Sequence, residues 1–166
     1  MRYFYDTEFI EDGRTIDLIS IGVVAEDGRE FYAVSAEFDE RAAGPWVRAH
    51  VLGQLPSPGS GLWMPRARIR DRLTEFLLPA GGGDPELWAW VGAYDHVVLA
   101  QLWGDMTRLP RRLPRYTREL KQHWEAAGRP TLPAQPSGRH DALADARHNL
   151  ARFRAIEAHR ERARGR

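Results

Sequence analysis

Two carboxylates lie two residues apart near the start of the chain, in a segment whose composition is otherwise typical of a β-strand. The segment covers residues 3–9 and reads YFYDTEF. Residues two apart on a strand point to the same face of a sheet, so Asp6 and Glu8 project together. Such a pair, removed from water, repels unless a cation lies between its members. Either a hard divalent ion such as Mg²⁺ or Mn²⁺ binds here through oxygen, or both side chains face solvent on an edge strand.

A third carboxylate, Asp95, follows a segment in which Trp88 and Trp90 predict a buried strand. The apolar run after it predicts a helix. Asp95 could cap that helix by accepting from its exposed N–H groups. It could also lie at the carboxyl end of a sheet strand, where open α/β sheets bind their ligands. The two interpretations are compatible.

A third cluster of polar residues lies at the predicted start of the final helix and consists of His140, Asp141 and Asp145. Asp141 and Asp145 are four residues apart and therefore share one helical face. His140 precedes the first turn, on a loop that can lean into a cleft. Taken alone, Asp141 is typical of a helix N-terminal carboxylate stabilised by the macrodipole, and an isolated histidine is more often a surface residue than a base.

The first forty residues predict a three-stranded antiparallel meander. Strands over residues 3–9, 16–25 and 30–38 are separated by the turn signals Asp12-Gly13 and Asp27-Gly28. The middle strand is almost continuously apolar, which indicates that both of its faces are covered. Helices are therefore expected on both sides of the sheet.

The rest of the chain alternates irregular connections with regular elements. Residues 39–65 are rich in Pro, Gly and Ser and predict a long connection with at most one short helix, near residues 45–52. The triple glycine at 81–83 is typical of a flexible linker. The other predicted elements are a strand over residues 86–91 and helices over residues 66–78, 97–103, 117–127 and from 141 past 158, followed by a frayed basic tail over 159–166.

Composition limits the possible classes of protein. The chain has 166 residues, is 43% hydrophobic and carries a net charge of +1, which fits a single α/β domain over residues 1–166. The absence of cysteine excludes disulfides, thiolate metal sites and a cysteine nucleophile. There is no signal-peptide pattern and no apolar run of the ~20 residues that a membrane span needs. We therefore expect a cytoplasmic protein with no membrane partner.

A connection over residues 105–117 is rich in proline and arginine. Such a cluster is usually a solvated face, but in an enzyme that acts on an anionic polymer it would meet phosphates. The arginines in and beside this connection are Arg108, Arg111, Arg112, Arg115 and Arg118.

Together the three separated motifs resemble those of the DEDDh family of 3′–5′ exonucleases, which belongs to the ribonuclease H-like superfamily and includes ribonuclease T and oligoribonuclease. Asp6-Thr7-Glu8 is similar to the first motif, Tyr94-Asp95 to the second, and His140 with Asp145 to the third, His-x₄-Asp. The resemblance implies that His140 is the general base and that the metal ligands are Asp6, Glu8, Asp95 and Asp145. Asp141 is not among these ligands.

The opening residues and the block WAWVGAYD also resemble a compact actinobacterial branch of 3′-exoribonucleases. What this implies is a ribonuclease H-like mixed sheet, with three antiparallel strands plus parallel ones and helices on both faces. Two Mg²⁺ or Mn²⁺ ions would act on the 3′ end of single-stranded or overhanging RNA, and the product would be a nucleoside 5′-monophosphate. Related exonucleases of this size are often homodimers. The substrate contacts expected are Thr7, Phe9, Tyr94, Arg111, Arg112 and Arg115.

The sequence alone allows alternatives on three points. Phe9 could stack on the terminal base or belong to the core. Val91 stands where many members of the family have Asn. Two other functions use the same residues: a metal-dependent phosphodiesterase of dinucleotides or short oligonucleotides, and a nucleic-acid-binding module with an inactive site.

Overall fold

A computed structural model of the protein, which describes residues 1–165, contains one six-stranded mixed sheet. The strand order is β4-β3-β2-β1-β5-β6. The first three strands form the antiparallel meander that the turn signals predict, and the other pairings are parallel. The strands are β1 (Arg2–Glu11), β2 (Ile16–Ala25), β3 (Glu30–Ser35), β4 (Trp63–Met64), β5 (Glu86–Ala89) and β6 (Arg118–Glu119).

Helices cover both faces of this sheet, as the apolar middle strand predicts. Every residue of β2 from 18 to 25 is buried. On β1, Tyr3 and Tyr5 pack with the first face, whereas Phe4 packs with the second, because alternate residues of a strand point to opposite faces. Helices α2 and α3 lie on the first face and α4 and α5 on the second. The helices are α1 (Pro45–His50), α2 (Arg66–Leu77), α3 (Ala93–Gln101), α4 (Leu120–Ala126) and α5 (Ala142–Arg164).

A third, smaller core cluster lies near the carboxyl end of β1. Ile10 and Ile19 pack there against Ala43 and Val51 from the long connection before α2. This connection contains the short helix α1 that the sequence predicts. It also contains elements that the sequence does not reveal, namely strand β4 and the 3₁₀ turns Glu40–Ala42, Leu52–Gln54 and Pro58–Ser60.

Several predicted boundaries were wrong. Helix α3 begins at Ala93 rather than at 97, so Asp95 lies in its first turn and Gly92 occupies the cap position. Strand β5 ends at Ala89 rather than at 91, because Val91 has a left-handed backbone with φ of 56°. Strand β3 ends at 35 rather than 38, and the two residues of β6 precede α4, where we expected helix.

The last helix, α5, runs through 23 residues. Residues 159–164, which we expected to form part of a frayed tail, have helical backbone, and residue 166 lies outside the described part of the chain. Among the described helices, none is both long enough and apolar enough to cross a membrane.

Candidate active site

The three predicted motifs meet at one open cavity of about 640 Å³. Its walls come from the carboxyl-terminal half of β1, from α1 and from the starts of α3 and α5. The structure thus brings together side chains that are far apart in sequence. The predicted metal ligands and the predicted base all line this cavity: Asp6, Glu8, Asp95, His140 and Asp145.

Strand β1 supplies two of these carboxylates and also fixes a third. Thr7 lies between Asp6 and Glu8 and is itself buried. Its backbone N–H and its hydroxyl both donate to Oδ1 of Asp95, at 2.8 and 2.7 Å. Asp95 is therefore oriented by the first motif, and the cap position of its own helix is occupied by Gly92. The predicted substrate contact of Thr7 remains a prediction, and the contact that the structure shows orients Asp95.

The third motif is carried to the site by the start of α5. Asp141 caps this helix, because its Oδ1 accepts from the backbone N–H of Ala144 at 2.8 Å. The helix approaches β2 so closely that a Cβ on Gly22 would lie 2.4 Å from the backbone of Ala142. Gly22 is the cross-strand partner of Asp6. A glycine at this position thus allows the helix to begin beside the first motif.

His140 is held in an unusual backbone conformation next to Asp145. Its φ is 66°, in the left-handed region that residues other than glycine adopt uncommonly and that Asn, Asp and His adopt more often than other types do. The backbone N–H of His140 donates to Oδ2 of Asp145 at 2.8 Å, and Nε2 of Gln135 donates to Oδ1 at 2.7 Å. The imidazole packs edge to face with Trp46 of α1, with ring centroids 4.7 Å apart. Both His140 and Asp145 are therefore oriented by neighbours.

The electrostatics of the cavity fit a divalent cation. Burial raises the pKa of the Glu8 carboxyl to about 8, and the charges of Asp145 and Asp95 raise it as well. Burial also raises the pKa of Asp6, which faces Asp95, Glu8 and Asp145, and that of Asp95. A cluster of four oxygen ligands with this excess of negative charge suits hard ions such as Mg²⁺ or Mn²⁺.

One subset of these side chains already has the spacing of a metal site. Potential ligand atoms of Glu8, His140 and Asp145 all lie within 4.8 Å of one another. This geometry places His140 close enough to an ion to be a ligand, whereas the resemblance gives it the role of a base. The two roles have different experimental consequences.

The residues predicted to contact substrate fall into two groups. Phe9 lines the cavity and stacks on Tyr94 of α3, with centroids 5.8 Å apart and ring planes 20° apart. The predicted arginines do not line the cavity within the described chain. Arg112 instead bonds to Asp84 and to a neighbouring backbone carbonyl. The arginines Arg111, Arg112 and Arg115 remain predicted contacts for RNA outside the cavity.

Val91 lies in a turn whose backbone N–H groups donate hydrogen bonds to a side chain of strand β6. The carboxylate of Glu119, at the end of β6, accepts from the N–H groups of Val91 and Gly92 at 2.8 and 3.0 Å. Val91 is 55% exposed and is not among the described residues that line the cavity. Left-handed backbone explains why Asn is suited to this position, since Asn tolerates it better than a β-branched residue does.

The cavity also contains residues that sequence reasoning missed. Asn149 and Arg152 lie four and seven residues after Asp145 and so share its face of α5. Polar residues at this helical spacing were the signal in the sequence that could have identified both as cavity residues. Gln135 and Arg139 lie on the connection before α5, where no periodicity marks them, and Trp46 lies on α1, which is too short to show a clear period.

Comparison with solved structures identifies the fold. The chain aligns with a structure of exonuclease I with a TM-score of 0.69 and 15% identity, over 97% of this chain and 41% of that one. A structure of an Escherichia coli exonuclease I–ssDNA complex gives a TM-score of 0.64 at 14% identity, over 97% of this chain and 40% of that one. A structure of Schizosaccharomyces pombe Pop2p in a Mg²⁺- and Mn²⁺-bound form gives 0.54 at 11%, over 94% of this chain and 81% of that one. The protein shares a ribonuclease H-like fold with these structures.

Sequence comparison places the chain more narrowly. The 3′-5′ exoribonuclease Rv2179c-like domain matches residues 1–157, and the chain belongs to this family. It is 64% identical over 165 residues to 3′-5′ exoribonuclease Rv2179c of Mycobacterium tuberculosis H37Rv, over 99% of this chain and 98% of the relative. The CDC 1551 strain has a relative, 3′-5′ exoribonuclease MT2234.1, with the same identity and coverage. The predicted resemblance to 3′–5′ exonucleases is thereby confirmed, and the chain is an enzyme of that class.

Proposed function

We propose that the protein hydrolyses RNA from its 3′ end and releases nucleoside 5′-monophosphates one at a time. The observation that supports this most directly is the meeting of four carboxylates and a histidine in one open cavity. The name of the Mycobacterium tuberculosis relative, a 3′-5′ exoribonuclease, supports RNA as the substrate. In this proposal two Mg²⁺ or Mn²⁺ ions are held by Asp6, Glu8, Asp95 and Asp145.

Bound ions of this kind would polarise the phosphodiester and make water a better nucleophile. The other steps belong to side chains of the protein. The imidazole of His140 takes the proton of the attacking water, as histidine can at neutral pH. Thr7 keeps Asp95 oriented through two hydrogen bonds, and Gln135 does the same for Asp145.

The open cavity suits a flexible single-stranded 3′ end. Phe9 lies at its wall with Tyr94 stacked behind it, and together they offer an aromatic surface to the terminal base. Base stacking is tolerant of sequence, because every base has a π-face. Arg111, Arg112 and Arg115 would meet the phosphates of longer RNA beyond the cavity.

A panel of labelled substrates tests this function. RNA and DNA of the same sequence, each at lengths from the dinucleotide upward and with single-stranded or overhanging 3′ ends, are incubated with the protein and Mg²⁺. We expect 5′-labelled RNA to shorten by single nucleotides from the 3′ end and the released product to be a nucleoside 5′-monophosphate. Hydrolysis confined to dinucleotides would favour the phosphodiesterase function instead, and binding without hydrolysis would favour an inactive binding module.

Metal dependence provides a further prediction, with a defined pH dependence. Burial raises the pKa of Glu8 from 4.5, the ordinary value of a glutamate, to about 8, so the folded state holds more protons than the unfolded state between these values. The metal-free protein should therefore lose stability as the pH rises from about 5 to about 8. Mg²⁺ or Mn²⁺ should raise Tm more at pH 8 than at pH 5, because it replaces the protons that relieve the repulsion.

The measurement is a set of thermal melts with EDTA, Mg²⁺ or Mn²⁺ across this pH range, together with RNA hydrolysis under the same conditions. EDTA should stop hydrolysis. Full activity in the chelator, or an equal metal-induced change of Tm at both pH values, would contradict a carboxylate metal site.

Three further expectations stay predictions: the cytoplasmic location, the single domain over residues 1–166 and the homodimer. Light scattering in solution tests the homodimer.

A further inference from the structure

A half-buried arginine faces the same cavity and takes no part in the function proposed so far. Arg152 lies on α5, seven residues after Asp145, and lines the cavity. Its guanidinium stacks on Trp90, with Cζ 4.3 Å from the ring centroid. Such a contact orients the planar group as well as stabilising it.

The hydrogen bonds of Arg152 leave most of its donors available. Nη1 donates to Oδ1 of Asn149 at 3.0 Å, and Nδ2 of Asn149 donates to the backbone carbonyl of Tyr5 at 3.2 Å. Tyr5 directly precedes Asp6, so this chain of contacts sets the position of the guanidinium relative to β1. A guanidinium has five N–H groups. Within residues 1–165, Arg152 has no other hydrogen-bond acceptor and no carboxylate within salt-bridge distance.

The carboxylates of the cavity lie close enough to influence this charge. The pKa of Arg152 is lowered by burial, and the nearby charges of Asp145 and Asp6 act in the opposite direction. Side chains of a helix tilt toward its N-terminus, which directs Arg152 back toward Asp145. An oriented cation with unpaired donors, beside carboxylates that a divalent ion would neutralise, suits an anionic oxygen ligand.

We propose that Arg152 binds a non-bridging oxygen of the scissile phosphate of the RNA substrate. This inference rests on the proposed function and adds a substrate contact that neither the motifs nor the family resemblance supplies. Arginine suits this role because its planar fork can donate two parallel hydrogen bonds to one phosphate. After hydrolysis, the same phosphate belongs to the nucleoside 5′-monophosphate, so the product is a probe for the contact.

The test compares Arg152→Gln and Arg152→Lys with a matched control, Arg154→Gln. Arg154 lies on the same helix, is exposed, and bonds to the backbone carbonyl of Glu26. Calorimetry measures the affinity for cytidine 5′-monophosphate with Mg²⁺ present, and kinetics measure kcat and KM on a short RNA. For Arg152→Gln, we expect the affinity and kcat/KM to fall about 10- to 100-fold, the usual value of a hydrogen bond to a charged group. Arg152→Lys should restore part of the loss, and Arg154→Gln should match the wild type.

Melting temperatures separate a contact with phosphate from a structural role. If Arg152→Gln lowered the melting temperature along with the nucleotide affinity and the rate, loss of the Trp90 and Asn149 contacts would be the cause, and the inference would be overturned. Unchanged nucleotide affinity and rate in Arg152→Gln would overturn it too. A wild-type protein that did not hydrolyse RNA would refute the proposed function itself, and this result is distinguishable from the others.

Discussion

Asp6→Asn should abolish most of the metal affinity and most of the hydrolysis, while Asp141→Asn should leave both close to the wild-type values. Asp6 lies among Glu8, Asp95 and Asp145, and burial first, then each of these charges, raises its pKa. The substitution removes one ligand charge from this group at nearly constant size. Because metal catalysis of this kind contributes several kcal/mol, the rate should fall by about 10²-fold or more.

Although Asp6→Asn should weaken metal binding and hydrolysis, it should increase the stability of the metal-free protein. With one fewer charge, the remaining carboxylates repel less, so Tm in EDTA should rise rather than fall at pH 8. The increase of Tm on adding Mg²⁺ should then become small. Calorimetric titration with Mg²⁺ and Mn²⁺, thermal melts and RNA hydrolysis measure the three quantities on the same sample.

Asp141 is the matched control, because it is a carboxylate close to the cavity that the proposal does not count as a ligand. Its side chain caps α5, and asparagine caps helices equally well. Asp141→Asn therefore changes the local charge by the same amount and keeps the helix start. Equal loss of metal binding in both variants would mean that nearby negative charge in general holds the ions, and that Asp6 has no special role as a ligand.

The meander was predictable because its signals are local. Turn dipeptides at residues 12–13 and 27–28 and a continuous apolar strand between them fix the strand pairing without help from the rest of the chain. The start of α3 was not predictable in this way. Residues 93–96 show no helical periodicity, and their helix depends on tertiary contacts such as the one between Asp95 and Thr7. Two-residue strands such as β4 and β6 are too short to show a period.

The candidate site was predictable as a set of residues but not as a geometry. The three motifs predict the four carboxylates and His140 as a set, because their types and spacings resemble a known pattern, and these residues line one cavity. What joins them is the close approach of α5 to Gly22, directly across the ladder from Asp6. A single sequence does not reveal that a strand glycine faces a helix start. For the same reason, Trp46 on the short helix α1 and Gln135 on the connection before α5 could not be assigned to the site, since tertiary contacts alone bring them there.

The second large effect expected is a 10²- to 10⁴-fold fall in the rate for His140→Asn and His140→Ala, with metal affinity unchanged. These magnitudes are the usual contribution of a general base. Asn is the more informative substitution, since the left-handed backbone at this position suits Asn better than Ala. His159→Ala, at the far end of α5, is the control for loss of a histidine.

Calorimetry decides which role His140 has, because the structure places one of its ring nitrogens near both Glu8 and Asp145. A base outside the coordination sphere can be removed without loss of metal, so Mg²⁺ affinity and the metal-induced rise of Tm should persist in both His140 variants. The lost rate should also recover in part at higher pH, where hydroxide replaces the missing base. If His140→Asn instead lost metal as severely as Asp6→Asn, His140 would be a ligand, and the proton of the attacking water would need another acceptor in this cavity.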